Sequence, residues 1–337
     1  MESDAPRSFS KKITGNAATQ GTSGPARPPQ APPRFFELIP RNPGIDFVRL
    51  APTTIAASLL AIVIGLASIW LRGGLNYGID FVGGTMVEVR FPRATPIADV
   101  RAALDREGLH EVVVQDTSRG GTEFQVRVRG SDDDGAPSLP DTIRAGLKDR
   151  FGEGGYDIRR VETVGPKVGK ALWRDAALAV LAATLMMGVY IWFRFDLRFG
   201  IAAAVALVHD VLITIGALSL ADMEFDLTTV AALLTVVGFS VNDTVIIADR
   251  IRENLGTMRR EPLASIVNVS LNETLSRTII TNGTAILVTA VLFGLGGNVI
   301  HSFAFALLVG FIAGTYSSLF IASPLVLYMD RRRPRKP

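Results

Sequence analysis

Two acids and one base stand where a chain this apolar can least tolerate charge. Asp243 follows Asn242 inside VVGFSVNDTVIIADRIRE (236–253), and Arg277 opens an apolar run over 276–298. Asp210 follows His209 in the middle of VALVHDVLIT (205–214). An ionisable side chain within a spanning helix costs about 2.5–3.5 kcal/mol on insertion scales, so each is a functional candidate by default. The chemistry open to such a carboxyl is proton exchange: a guanidinium beside it holds it ionised, and separation raises its proton affinity. Asp243 and Arg277 lie in the same half of adjacent antiparallel runs, so the spacing predicts that they meet as a protonation switch. A static ion pair fixing helix register is the competing reading, as is an Arg277 that reaches toward the headgroups.

Thr235, Phe239 and Asp243 share one helical face, with Ser240 three residues before the acid. Thr281 and Thr284 continue the stripe from Arg277, and Asn282 sits beside it. Asp210, Asn242 and Asn282 are therefore candidates for a secondary polar relay. Thr214 lies one turn on from Asp210, and His209 reads more readily as a hydrogen-bonded tie between helices.

Other chemistries find little support. The chain has no cysteine, and His110, His209 and His301 are scattered, so neither thiol chemistry nor a metal centre is expected. GPKVGKA (165–171) resembles a phosphate-binding loop but is one residue short between its glycines and has Ala171 where Ser or Thr should follow the lysine. No cofactor and no catalytic residue is expected, and an enzyme is not the reading. The net charge is only +3, and the basic residues cluster beside the apolar blocks, which argues for membrane topology rather than nucleic-acid binding.

The elements that would position these residues are apolar blocks. Hydrophobic residues make up 48% of the chain and fall in runs of about 20, the length that spans the hydrocarbon of a bilayer. Six transmembrane helices are expected, over 51–71, 172–193, 199–220, 227–248, 276–298 and 301–328. Residues 1–45, rich in Pro, Ser and Gly, read as a disordered tail, and 329–337 as a basic tail. Between the first two spans, residues 72–171 alternate strand and helix patterns. TMVEVRF, EVVVQD, TEFQVRVRG and YDIRRVETV read as strands, and helices lie near 96–109 and 140–151. Thr95 is a candidate cap for the first of these helices. In TEFQVRVRG, Phe124, Val126 and Val128 point inward and Gln125, Arg127 and Arg129 outward. The order β-α-β-β-α-β is that of a ferredoxin-like α+β domain.

Arg194, Arg198, Arg250, Arg252, Arg259, Arg260 and the terminal arginines fall on one side of the membrane if both termini are cytoplasmic. The α+β domain is then external. Asp249, Arg250, Arg252 and Glu253 read as a solvated helix end, with Asp249 and Glu253 a like-charge i,i+4 pair. Gly310 and Gly314 form a G-x-x-x-G, which permits close helix contact.

Three separated segments, LNYGIDFVGGT (75–85), VGPKVGKAL (164–172) and FSVNDTVIIADRIREN (239–254), resemble the SecF family of protein-export subunits. The resemblance covers about residues 40–330 and leaves out the N-terminal tail. It implies membership of the resistance–nodulation–division superfamily and a multi-pass place in the bacterial inner membrane. It also implies use of the proton-motive force in late-stage polypeptide translocation, with Asp243 and Arg277 as the charged pair. The implied partners are SecD, the SecYEG translocon, YajC and YidC, membrane lipid and the unfolded polypeptide in transit. GIDFVGG would be a glycine-permitted turn into the external domain. A scaffold that stabilises SecD and the translocon is the alternative. A small-molecule exporter ranks last, since one domain of about 100 residues is small for drug-binding pockets and an exit duct.

Overall fold

In the computed structural model, which describes residues 43–109, 112–118, 120–128, 138–297 and 299–332, the apolar blocks are helices and the alternating stretches a sheet. The tail expected over 1–45 falls almost wholly outside the described residues, as do His110, Arg129 and the basic end beyond 332. The chain runs through α1 (Phe47–Leu71) and the short α2 (Ile79–Val82) into β1 (Gly84–Arg90), α3 (Ile97–Asp105), β2 (Val112–Asp116) and β3 (Glu123–Val128). α4 (Leu139–Phe151) and β4 (Asp157–Val164) complete the sheet domain. Then come α5 (Pro166–Arg194), α6 (Leu197–Leu220), α7 (Leu227–Thr257) and α8 (Leu263–Leu295). α9 (His301–Ser317) passes through a π-helical turn (Ser318–Ala322) into α10 (Ser323–Arg332). Among the described residues six helices, with α9 and α10 counted as one, are long and apolar enough to cross a membrane.

The sheet is antiparallel with strand order β2-β3-β1-β4, the arrangement of a ferredoxin-like fold. Its core is the face that alternation predicts: Val87, Val89, Phe124, Val126 and Val128 pack with Val100 and Leu104 of α3 and Ile143 and Leu147 of α4. Thr95 does not cap α3. Its hydroxyl donates to the Arg93 carbonyl, and the helix begins after Pro96. Arg127 departs from the outward reading in a more informative way. It points away from the helix layer as expected, yet only 7% of it is exposed, because that face of the sheet lies over the helix ends.

Two glycine features explain how the domain is joined to the bundle. Gly83 has φ +76°, and a Cβ there would stand 2.7 Å from the Cα of Pro166, so only glycine lets the chain turn against the start of α5. Lower in the bundle, Gly65 of α1 and Gly216 of α6 face each other, with a Cβ on Gly65 2.7 Å from the Gly216 Cα. One turn nearer the sheet domain the hydroxyls of Ser68 and Ser219 lie 3.0 Å apart. Gly216→Leu is expected to force the helices apart, with an overpacking cost of about 1–3 kcal/mol. The chain has no cysteine of its own, so a Ser68→Cys/Ser219→Cys disulfide reports the separation directly. It should form readily with Gly216 and fail with Gly216→Leu.

The α6–α7 turn is woven into the sheet domain. Tyr77 and Phe225 form a parallel bridge; Gly78 N–H donates to the Phe225 carbonyl at 2.9 Å, and Phe225 N–H to that of Asn76 at 2.8 Å. Asp226 caps α7 by accepting from Thr229 N–H at 2.7 Å, while Asp80 accepts from Leu227 N–H at 3.0 Å. Both acids suit the positive end of the helix dipole. Arg127 of β3 meets Glu224 of the turn at 3.0 Å, with side-chain exposures of 8% and 19%. Burial pushes the Glu224 carboxyl above its ordinary value of 4.5 against the pull of Arg127, and Asp226, Asp80 and Glu162 push the same way. The folded state therefore holds this proton more tightly than the unfolded chain, and stability falls as pH rises from the ordinary value through the raised one. Hydrogen exchange of the 222–227 amides, corrected for intrinsic rate, should show the seam better protected at the acid end of that window. Glu224→Gln should flatten the dependence.

Candidate functional site

Helical periodicity decides which of the intramembrane polar residues meet. Asp243 lies on the buried face of α7 with 1% exposure. Its Oδ2 accepts from Asn282 Nδ2 of α8, and the same amide donates to Thr315 Oγ1 of α9 at 2.7 Å. Among the described residues Asp243 Oδ1, Asn282 Oδ1 and Thr278 Oγ1 are buried without a hydrogen-bond partner.

The expected meeting of Asp243 and Arg277 is absent. Among the described residues Arg277 forms no ion pair, and it lies on the exposed side of α8. The reason is angular. Arg277 precedes Asn282 by five residues, about 140° around a helix of 3.6 residues per turn. With Asn282 turned to Asp243, Arg277 and Thr284 face away from α7, and Thr281 is half-buried between. Asn242, one residue before the acid, is exposed, as is Thr235. Of the candidates, then, the structure joins Asp243 with Asn282 and leaves Asn242 and Arg277 outside that contact.

Asp210 forms a second centre, completely buried on α6. Ser240 of α7 donates to its Oδ2 at 2.6 Å, Ser317 of α9 to the same oxygen at 2.9 Å, and His209 Nδ1 lies 3.0 Å from Oδ1. Thr214, one turn on, donates to the Asp210 carbonyl at 2.7 Å. Close approach of α9 makes both centres possible. A Cβ on Gly310 would strike Val236, and one on Gly314 would lie 3.1 Å from Ser240 Cβ. The G-x-x-x-G thus seats α9 on α7. Thr315 and Ser317 were legible only as hydroxyls following that motif, which says that something packs but not what the hydroxyls touch.

Beyond the bilayer-length region, α7 and α8 continue past the expected ends at 248 and 276 and pair as a hairpin. Arg250 donates to Glu253 at 2.6 Å and to Glu273 at 2.7 Å, and Asn254 donates to Glu273 and to Ser270. The segment read as a solvated end is therefore tied across helices by Glu273, a residue too far along the chain for i,i+4 reasoning to reach. GPKVGKA is no loop at all: Gly165 caps α5, Pro166 is its first residue, and Lys170 lies within the helix.

The chain matches the family described as protein export membrane protein SecD/SecF, C-terminal, over residues 147–332, and the SecD/SecF GG motif over 69–91. The second match contains Gly83 and its turn. It is 45% identical over 298 residues to protein translocase subunit SecF of Desulfurispirillum indicum, covering 86% of this chain and 92% of that protein. To protein translocase subunit SecF of Magnetococcus marinus it is 48% identical over 295 residues, covering 86% and 94%. Among solved structures, it superposes on crystalline SecDF from Thermus thermophilus with a TM-score of 0.77 and 37% identity, covering 88% of this chain and 40% of that one. On SecDF in its super-membrane-facing form the TM-score is 0.65, again with 40% of that chain covered.

Proposed function

We propose, because this chain belongs to the SecF family of protein translocase subunits, that it acts in protein export by coupling proton passage at Asp243 to movement of its sheet domain. The relatives are named for a transport role, protein translocase subunit SecF. The solved neighbours are named SecDF, and this chain covers 40% of each, which supports a SecD subunit as the partner of this one.

The observation that carries the proposal is Asp243: an acid with 1% exposure in a spanning helix, one oxygen held by Asn282 and the other without a partner. A proton added to the bare Oδ1 turns an acceptor-only group into a donor and weakens what Asn282 gains by facing it. α7 and α8 then have reason to shift. In this reading Arg277, exposed on α8, engages Asp243 in another arrangement of the same helices. Movement of α7 reaches the sheet domain through its first turn, where Asp226, Asp80, the Tyr77–Phe225 bridge and the Arg127–Glu224 pair hold the two together.

In this reading the protein is a multi-pass component of the bacterial inner membrane, both termini cytoplasmic and the sheet domain outside, holding the emerging polypeptide. SecYEG is the channel it serves, with YajC and YidC as further members of the assembly. The test is export into vesicles at graded membrane potential. The rate should rise with potential for the unaltered complex and be flat for Asp243→Asn; an unchanged slope in the variant would overturn the proposal.

A further inference from the structure

Asp210 is completely enclosed, and the cycle at Asp243 makes no use of it. Its surroundings are built around the carboxylate rather than left over from packing. Two serines from two other helices converge on Oδ2, at 2.6 and 2.9 Å, and an imidazole nitrogen faces Oδ1 at 3.0 Å. The far nitrogen of that ring, His209 Nε2, is buried without a hydrogen-bond partner among the described residues. Tyr316 stacks on the ring with centroids 6.1 Å apart and is itself anchored on α1, donating to the Thr54 carbonyl at 2.5 Å and accepting from Ser58 at 3.0 Å.

The two acids share their supports. α7 supplies Ser240 to one centre and Asp243 to the other, one turn apart; α9 supplies Ser317 to the first and Thr315 to the second, two residues apart. α6 brings Asp210 and His209, and α8 brings Asn282. Ser317 is also the last residue before the π-helical turn, and Ser318, which begins that turn, donates back to the Thr315 carbonyl at 3.0 Å. Such turns inside α-helices occur frequently at functional sites.

We propose that Asp210 and His209 form a second proton-binding site, set on the same α7–α9 seam as Asp243 and loaded in the same cycle. This deepens the reading of Asp243 and rests on it. A proton placed on Oδ1 is held against Nδ1 of His209. One placed on Oδ2 makes that oxygen a donor, so a serine hydroxyl must reverse and accept, altering the tie of Asp210 to α7 if it is Ser240 or to α9 if it is Ser317. The titratable groups around Asp210 are His209 on its own helix and Tyr316 of α9. α7 presents Ser240 with Asp243 one turn on, and the facing part of α1, around Thr54 and Ser58, has no ionisable side chain.

Infrared difference spectra between acid and alkaline media, taken on the full chain assembled with its SecD partner in membranes, test this. Two protonated-carboxyl bands assignable to the spans of this chain are expected. Asp210→Asn should lose one and Asp243→Asn the other. Ser317→Ala keeps the acid and removes one hydrogen bond, so it should displace the Asp210 band in frequency and leave the Asp243 band in place; it decides the matter should Asp210→Asn fail to assemble. Spectra of Asp210→Asn, or in its place Ser317→Ala, that superpose on those of the unaltered complex would overturn the second site. Loss of the Asp210 band alone, with the Asp243→Asn spectrum unchanged, would support proton binding at Asp210 and count against the reading of Asp243.

Discussion

Asp243→Asn is expected to remove the part of export that responds to the proton-motive force while leaving assembly with the partner subunit intact. Asparagine has the shape of the acid and keeps an oxygen able to accept from Asn282, so the α7–α8 contact survives. What disappears is the titration. One proton crossing 100 mV supplies roughly 2.3 kcal/mol, which biases a conformational equilibrium about fiftyfold. That is ample to favour one position of the sheet domain and far too little to unfold a stable protein, so the loss should appear in the late, diffusive phase of export. A scaffold role predicts the opposite pattern: normal export by Asp243→Asn, and failure only when helix contacts such as Gly314 against Ser240 are spoiled.

The second large effect is expected at the seam between domain and bundle. Arg127→Met leaves Glu224 enclosed beside Asp226, Asp80 and Glu162 with its counter-charge gone. Removing one member of a buried pair costs about 3–5 kcal/mol, and the residual exposure of Glu224 favours the lower end of that range. Most of this is the penalty of the orphaned acid rather than the worth of the pair. Arg127→Met/Glu224→Met should therefore recover most of the stability. Thermal unfolding of the sheet domain and protease sensitivity near 76–80 separate the three variants. If the double variant regains stability but transmits poorly, with potential-driven export reduced, the ion pair is a coupling element as well as a fastening. Equal damage in single and double variants would mean that packing, not charge, holds the seam.

The architecture was legible because its causes are local. Runs of about 20 apolar residues have few other solutions than a spanning helix, and period-2 alternation through Phe124, Val126 and Val128 specifies a sheet with one face on a core. The membrane acids were legible for the same reason: Asp210 and Asp243 stand out against their runs. What the sequence could not supply was azimuth. Whether Arg277 or Asn282 turns toward α7 depends on how α8 is rotated, and that is set by the whole of its buried stripe, Leu271, Leu275, Thr278 and Asn282. Placement in the same half of adjacent antiparallel spans points to Asp243 and Arg277 as a pair; the turn of about 140° between Arg277 and Asn282 makes the amide the contact in this structure. Arg127 failed in a related way. The outward face of a sheet is polar when water covers it, and here a turn from between two spanning helices covers it.

Export in inverted membrane vesicles, timed with and without an uncoupler, decides whether Asp243 couples proton passage to export. With the unaltered chain, the uncoupler should slow late-stage export. With Asp243→Asn, export should already run at the slow rate and the uncoupler should change nothing. A variant that exports at the unaltered rate and still slows on uncoupling would contradict the account.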